Sequence, residues 1–423
     1  MNTLSLSPPQ DEDATRLLEI LARFASQRIL VMGDFIADEF IYGRVARVSR
    51  EAPVLILEYD KTQIVPGGAG NAANNVAALG ARTRAVGLVG HDEAGSRFVE
   101  ALHDNVDRRS VIISKTHRTP TKTRILAGGI HSAKQQVVRI DRGTQQKADA
   151  AARTEFKERV MRAIPGCDAI LVSDYGAGLI TPALVREVRK TAVRSPSLVR
   201  GSKPARMRVP VLVDSRYVLD HYRALTACTP NESEVEALLG VHIDENVSVL
   251  ERAGRELLER TGNEIVLVTR GSRGMALFER DQPTRHLGIF GTDEIADVTG
   301  AGDTVIATMT LALAAGASAF DAACLANYAG GMVVMKRGTA TVSVDELRWA
   351  VVQDAKARNG ITLSERHTMV PLSRSAGRAL AARTTAAALG RDGKESVSKN
   401  QTLCHHDLDP WQRGGGRSRP GRR

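Results

Sequence analysis

Five short apolar runs, each ending on a small or polar residue, most constrain the fold of this chain. They are Arg28-Ile-Leu-Val-Met-Gly33, Arg84-Ala-Val-Gly-Leu-Val-Gly90, Ala169-Ile-Leu-Val-Ser173, Pro210-Val-Leu-Val-Asp214 and Glu264-Ile-Val-Leu-Val-Thr269. Runs this uniformly apolar suit strands buried on both faces. Helical patterns lie between them at 70–80, 93–105, 181–193, 233–239 and 247–261, and an acidic helix precedes them at about 11–24. The alternation predicts an α/β fold with a largely parallel sheet covered by helices on both sides.

Two stretches break the rhythm. Residues 39–65 hold the extended segments Phe40-Ile-Tyr-Gly-Arg-Val and Pro53-Val-Leu-Ile-Leu-Glu-Tyr, and residues 119–141 alternate like two further strands. They read as a small antiparallel sheet outside the main one, serving as a lid, or as an edge extension of the main sheet. Residues 194–208, basic and broken by Pro and Gly, read as a surface loop.

The net charge of +10 raises the question of an acidic polymer partner. Its location argues against one. Residues 366–423 carry ten Arg and two Lys against three Asp and one Glu, leaving 1–365 at only +2. That tail lacks hydrophobic periodicity and reads as disordered, with one helix-prone Ala-rich piece at 377–389. Aromatic residues make up only 4%, so a surface for stacking bases is not expected. Cys167, Cys228, Cys324 and Cys404 are too far apart for a zinc ribbon and form no disulfide framework. The N-terminus has no secretory pattern, and the longest apolar run, 305–318, is too short to cross a bilayer. That run reads as a buried small-residue helix. The expected setting is the cytoplasm, with no membrane and no nucleic-acid partner.

The chemistry is concentrated in Asp297-Val-Thr-Gly-Ala-Gly-Asp303, which opens an apolar helix. Gly300, Ala301 and Gly302 let backbone N–H groups approach an anion at a helix start. Asp303 reads there as a helix cap or as a general base beside a phosphate cradle. No Walker A pattern occurs, and Gly68-Ala-Gly70-Asn-Ala-Ala73 alone is a weak dinucleotide fingerprint. Asn71, Asn74 and Asn75 suit a hydroxyl-rich ligand, or local turns. Asp34 and Asp38 follow the first strand, where α/β sheets hold ligands. Asn231 and Glu234, three apart on a helix start, suit Mg²⁺ directly or through water, or a capping box. Thr269, Gly271 and Gly274 follow another strand and permit a turn against a flat or phosphorylated ligand.

Taken in order, these motifs resemble the ribokinase/PfkB family of carbohydrate kinases. Val65-Pro-Gly-Gly-Ala-Gly-Asn71 resembles its N-terminal signature and Asp297–Asp303 its C-terminal one. The resemblance runs from about Arg28 to Ala350. It implies a ribokinase-like three-layer sandwich over 28–360, with 1–27 as an extension, a β lid at 39–65 and 119–141, and the tail from 366. Ser49-Arg-Glu-Ala-Pro-Val54, Val172-Ser-Asp-Tyr-Gly176 and Lys336-Arg-Gly-Thr-Ala-Thr-Val342 are similar, within that family, to kinases of ADP-heptose synthesis. That implies ATP-dependent phosphorylation of the anomeric hydroxyl of D-glycero-β-D-manno-heptose 7-phosphate. Two positions depart from the pattern: Ala177 stands where Lys is expected, and Asp214-Ser-Arg-Tyr217 replaces D-P-K-G. No H-x-G-H nucleotidyltransferase motif occurs.

The resemblance also implies roles. Asp303 is the base, and Gly300, Ala301 and Gly302 face the transferring phosphoryl group. Asp34, Asp38, Gly67, Gly68 and Asn71 hold the sugar. Thr269, Gly271, Gly274, Asn327 and Asn231 line the ATP side, and Glu234 with Asn231 organises Mg²⁺. Arg47, Arg50, Lys122 and Arg124 are candidates for a sugar phosphate, or cover a solvated lid face. The implied assembly is a homodimer through the lid.

Overall fold

The computed structural model describes residues 12–128, 134–143, 145–194, 207–291, 297–336 and 338–358. The tail from 366, its Ala-rich piece, Cys404 and the middle of the basic loop (195–206) lie outside the described residues.

Helix α1 (Glu12–Ala22) leads into β1 (Arg28–Gly33). A long hairpin, β2 (Phe35–Val48) and β3 (Leu55–Gly68), follows, and α2 (Ala69–Ala78) returns the chain to the core. Next come β4 (Arg82–Gly90), α3 (Glu93–Glu100), β5 (Val106–Asp107) and β6 (Val111–Ser114). A second hairpin, β7 (Thr121–Gly128) and β8 (Gln135–Arg142), precedes α4 (Ala150–Ala163), β9 (Ala169–Asp174) and α5 (Pro182–Thr191). The basic loop is bracketed by a two-stranded antiparallel ribbon, β10 (Val193–Arg194) and β11 (Met207–Arg208). Then follow β12 (Val211–Ser215), β13 (Ala227–Cys228), α6 (Glu232–Leu239), α7 (Val247–Thr261) and β14 (Ile265–Thr269). The described part ends with β15 (Met275–Glu279), β16 (Arg285–Leu287), α8 (Ala301–Ala314), α9 (Ala319–Val334) and α10 (Val344–Arg358).

The central sheet runs β16-β15-β14-β13-β12-β9-β1-β4-β5, with β6 also paired to β4. It is parallel from β14 to β5, and only β15 and β16 are antiparallel. The five apolar runs supply its middle. Because a strand's side chains alternate between faces, each run feeds two cores. Ile29, Val31, Leu171 and Leu267 join the core shared with α1, α2, α8, α9 and α10. Leu30, Met32, Val172 and Val268 join the core shared with α4, α5 and α7. This is the expected three-layer arrangement.

The second sheet has the order β3-β2-β7-β8 and is separate from the central one, so the edge-extension alternative does not hold. Nor is it wholly antiparallel: β2 and β7 pair in parallel, from Ala37 opposite Thr121 to Arg44 opposite Gly128. Both hairpins leave the core from the same side, so their first strands run in the same direction. The hairpin β2–β3 is also longer than the sequence suggested, because Phe35 already pairs with Gly68.

Helix α8 is buried along nearly its whole length and packs against α9 through small residues. Among the described residues no helix is long and apolar enough to cross a membrane, and Cys167, Cys228 and Cys324 are unpaired.

Candidate functional site

The C-terminal ends of β1, β9, β12 and β14 lie along one edge of the sheet, with Gly33 opposite Ser173 and Ser215 opposite Asp174. Ligands of open α/β sheets bind at that edge. Asp34, Asp174, Tyr175, Asp214, Arg216 and Thr269 all belong to it or directly follow it.

Asp303 is brought there by α8. Gly300, the residue before the helix, has φ +81°, a left-handed conformation that glycine adopts without a Cβ penalty. A Cβ at Gly300 would lie 2.5 Å from Asn71 Nδ2. Asp303 itself is 4% exposed. Asn71 Nδ2 donates to its Oδ2 at 2.9 Å, and the Tyr175 hydroxyl donates to its Oδ1 at 3.1 Å. Burial pushes the Asp303 carboxyl up to about 6, opposed by these two hydrogen bonds. Asp303 is therefore no mere cap: α8 has no side-chain N-cap bond, and both oxygens of this acid accept hydrogen bonds from other elements.

The three asparagines of α2 separate in role. Asn71 meets Asp303. Asn75 donates back to Asn71 and accepts from the Thr304 hydroxyl at 3.0 Å. Asn74 faces away, bonding Ala101 O and His103 N. Only Asn71 of the three bonds Asp303.

Asp34 is 1% exposed. Its Oδ2 accepts from the backbone N–H groups of Tyr175 (2.8 Å) and Ala177 (3.0 Å). Its Oδ1 is buried with no partner. Burial raises this carboxyl to about 6 as well. Gly68, at φ +56°, turns the chain into α2 with the position of its missing Cβ 2.6 Å from Asp34 O. Gly67 plays the same spatial part for Asp38, whose Oδ2 lies 2.2 Å from where a Cβ would stand.

Asp38 and Arg124 form a nearly buried ion pair at 2.6 Å, with side-chain exposures of 9% and 12%. One guanidinium nitrogen of Arg124 is thereby taken by Asp38. Lys122 has no ion pair among the described residues, and its ammonium lies over the Tyr175 ring, 5.1 Å from the centroid. Burial and the nearby Arg216 guanidinium push Lys122 down. Arg216 also lies over that ring, at 5.4 Å. Arg216 occupies the Lys position of the expected D-P-K-G stretch, so the cation is retained there. Arg47 and Arg50 are not brought to this group. Arg47 is nine residues beyond Asp38 on the exposed hairpin, about 30 Å along an extended strand.

Asn231 and Glu234 form a capping box: Asn231 Oδ1 accepts from Glu234 N at 2.8 Å, and Glu234 Oε2 accepts from Asn231 N at 3.0 Å. Burial raises the Glu234 carboxyl. Burial raises that of Asp214 well above the usual range, and repulsion by Glu234 adds to it. Thr269 pairs with Asn231 in an isolated bridge, and Gly271 and Gly274, at φ +57° and +78°, form the turn after β14. Asn327, on α9, donates to Gly288 O at 2.7 Å and holds that loop.

The sequence reading missed Tyr175, Thr304, Asp214 and Arg216 as members of this group. Tyr175 was visible as the residue following a strand-terminal Asp. Its link to Asp303 spans 128 positions and has no local signal.

Residues 27–346 match the pfkB family of carbohydrate kinases. The chain is 39% identical over 334 residues to the bifunctional protein HldE of Desulfatibacillum aliphaticivorans, covering 78% of this chain and 64% of that protein. It is also 39% identical over 332 residues to bifunctional protein HldE of Caulobacter vibrioides (77% and 63%). The chain thus spans a little under two thirds of the length of these relatives. Among solved structures, phosphofructokinase-2 from Escherichia coli in complex with substrates and products aligns with TM-score 0.60 at 18% identity, covering 77% of this chain and 98% of that one. Arabidopsis thaliana ribokinase complexed with ribose and ATP aligns at 0.56 and 20%, covering 78% and 98%. The fold is ribokinase-like, and a match over most of its length makes this chain a member of the pfkB family of carbohydrate kinases.

Proposed function

We propose that this chain uses ATP to phosphorylate the anomeric hydroxyl of D-glycero-β-D-manno-heptose 7-phosphate in the cytoplasm. The observation that carries the kinase reading is a buried carboxylate, Asp303, in the first turn of a helix opened by Gly300, Ala301 and Gly302. The choice of sugar rests on the similarity to proteins named HldE and on the shared Ser49–Val54 and Lys336–Val342 stretches.

In this reading Asp303 accepts the proton of the attacking hydroxyl. A carboxyl raised to about 6 is a stronger base than an ordinary aspartate and is still ionised at pH 7. The unpartnered Oδ1 of Asp34 accepts from a sugar hydroxyl. Backbone N–H groups of Gly300–Gly302 meet charge developing on the transferring phosphoryl oxygens. Lys122 and Arg216 offer cations for phosphate. The second sheet closes over the sugar as a lid and excludes water.

Mg²⁺ fits the acids beside the ATP edge. Asp214 and Glu234 are desolvated, and Asp214 is destabilised by its neighbour, a conflict that a hard divalent cation relieves. Asn231 Oδ1 is already used by the capping box, so its part is through water. When bound, the ion offsets negative charge on the ATP phosphates.

The second sheet also exposes Val48, Leu55, Tyr59 and Ile140 at 44–66%. Such a concentration of apolar surface suits contact with a second copy, and the assembly proposed is a homodimer through this sheet. Sedimentation of the full chain tests it, and a monomer at micromolar concentration rejects it.

The activity is tested by Mg²⁺-dependent ADP release across a panel of sugar phosphates, nucleosides and unphosphorylated sugars. Turnover confined to heptose 7-phosphate supports the reading. Preference for another sugar moves the assignment within the family, and binding without turnover makes the chain a non-catalytic binding protein.

A further inference from the structure

Tyr175 is the residue on which the parts of the site converge. Its backbone N–H donates to Asp34 at 2.8 Å, and its hydroxyl donates to Asp303 at 3.1 Å. One residue thereby spans the proposed sugar acid and the proposed base. Its ring carries two cations from different elements. Lys122 arrives from β7 of the second sheet, and Arg216 from the turn after β12. Neither makes an ion pair with a carboxylate among the described residues, and both lie over the ring. An ammonium over an aromatic face is attracted by the ring quadrupole, more strongly where it is desolvated.

We propose that Tyr175 is a positioning residue that couples the second sheet to the base: its hydroxyl holds Asp303 ionised and oriented, and its ring docks Lys122 when that sheet lies over the site. The inference rests on the proposed role of Asp303. The hydroxyl donates to the charged form of the carboxylate, which it stabilises. Asn71 holds the other oxygen, so the two donors together set the carboxylate plane. A second lone pair on each oxygen stays available for a substrate hydroxyl. The other groups facing this pair are Asp38 from β2, Lys122 from β7, Asp214 from β12 and Arg216 after it. Asp38 opposes ionisation of Asp303 and Lys122 favours it. Withdrawal of Lys122 therefore makes Asp303 harder to ionise, and sheet position is read out at the base.

The test uses the full chain carrying Tyr175→Phe, Tyr175→Leu, Lys122→Met, and Tyr175→Leu together with Lys122→Met. The Asp303 carboxyl resonance is titrated by ¹³C NMR, assigned by its loss in Asp303→Asn, and thermal midpoints check folding. The proposal expects a higher titration midpoint in each single variant. In Tyr175→Leu with Lys122→Met it expects a smaller rise than Tyr175→Leu and Lys122→Met added together, because Tyr175→Leu already removes the ring that holds Lys122, whereas Tyr175→Phe keeps it. ADP release from heptose 7-phosphate at pH 7 is expected to fall about tenfold in Tyr175→Phe, with the acid limb of its pH profile moved upward and KM for ATP unchanged. An unmoved Asp303 midpoint in folded Tyr175→Phe overturns the positioning role. Strictly additive shifts overturn the coupling to the second sheet. Absence of turnover in the unaltered chain rejects the proposed function, and the titration still decides the role of Tyr175.

Discussion

Asn75 donates through its amide nitrogen to Asn71 twice, to the backbone carbonyl and to Oδ1, each at 3.0 Å. A backbone carbonyl only accepts, so the NH₂ group of Asn75 must face Asn71. Asn71 Oδ1 is then the acceptor, and its own NH₂ is turned toward Asp303. Asn75 Oδ1 in turn faces the Thr304 hydroxyl, whose single proton lies within reach of both that oxygen and Gly300 O. The amide orientations of Asn75 and Asn71 are thus settled by one peptide group.

Asn75→Leu should break this chain without changing the helix face. It leaves the buried Asn71 Oδ1 unsatisfied, while the Thr304 hydroxyl keeps Gly300 O as an acceptor at 3.1 Å. We expect a loss of about 1–3 kcal/mol in urea unfolding, the cost of one such group. Turnover should fall too, because the Asn71 amide is no longer held toward the base. Wild-type stability and turnover would reject the relay.

Asp303→Asn should lower turnover by roughly 10²–10⁴ while ATP still binds in calorimetry. The same change should raise stability at neutral pH. A carboxyl raised to about 6 when folded binds its proton more tightly in the native state than in the unfolded chain. Its cost to stability is absent below the unfolded value and grows as pH rises to about 6. Removing the charge relieves on the order of 1–3 kcal/mol above that window. Urea midpoints of both proteins at pH 4.5 and pH 7.5 check it, and the difference should be larger at the higher pH.

Gly300→Ala should damage both structure and activity. The residue sits at φ +81°, and the added methyl would lie 2.5 Å from Asn71 Nδ2. The backbone term alone is about 1–2 kcal/mol. Displacing Asn71 removes a donor from Asp303, so the acid limb of the pH–rate profile should move upward. A variant with an unchanged profile would show that Asn71 does not set the base.

Arg124→Met should be the most destabilising change in the second sheet. It strands Asp38 in a site where the paired groups are 9% and 12% exposed, and an unpaired buried charge costs about 3–5 kcal/mol. Adding Asp38→Asn should recover most of that loss. If Arg124 instead binds a sugar phosphate, KM for that substrate should rise with little change in stability.

Much of the framework was legible from the chain. Apolar runs such as Ile29–Met32 announce doubly buried strands because both faces of each run need cover. The capping box of Asn231 and Glu234 is a contact across three residues, and it is present in the structure. Harder to read was Arg124, whose candidacy as a phosphate ligand rested on charge alone. Its partner Asp38 lies 86 positions away.

By itself, then, the sequence determined the layered α/β architecture, the glycine-opened start of α8 and the acid in its first turn, because these depend on periodicity and on contacts within a few residues. Only the tertiary structure decided that Asn71 and Tyr175 hold the two oxygens of Asp303, that Arg124 pairs with Asp38, and that β2 runs parallel to β7. The hydrogen bonds to Asp303 join positions 232 and 128 residues apart. Chain closure over such distances is governed by the packing of the whole sheet, and no local pattern encodes which donor will meet which oxygen.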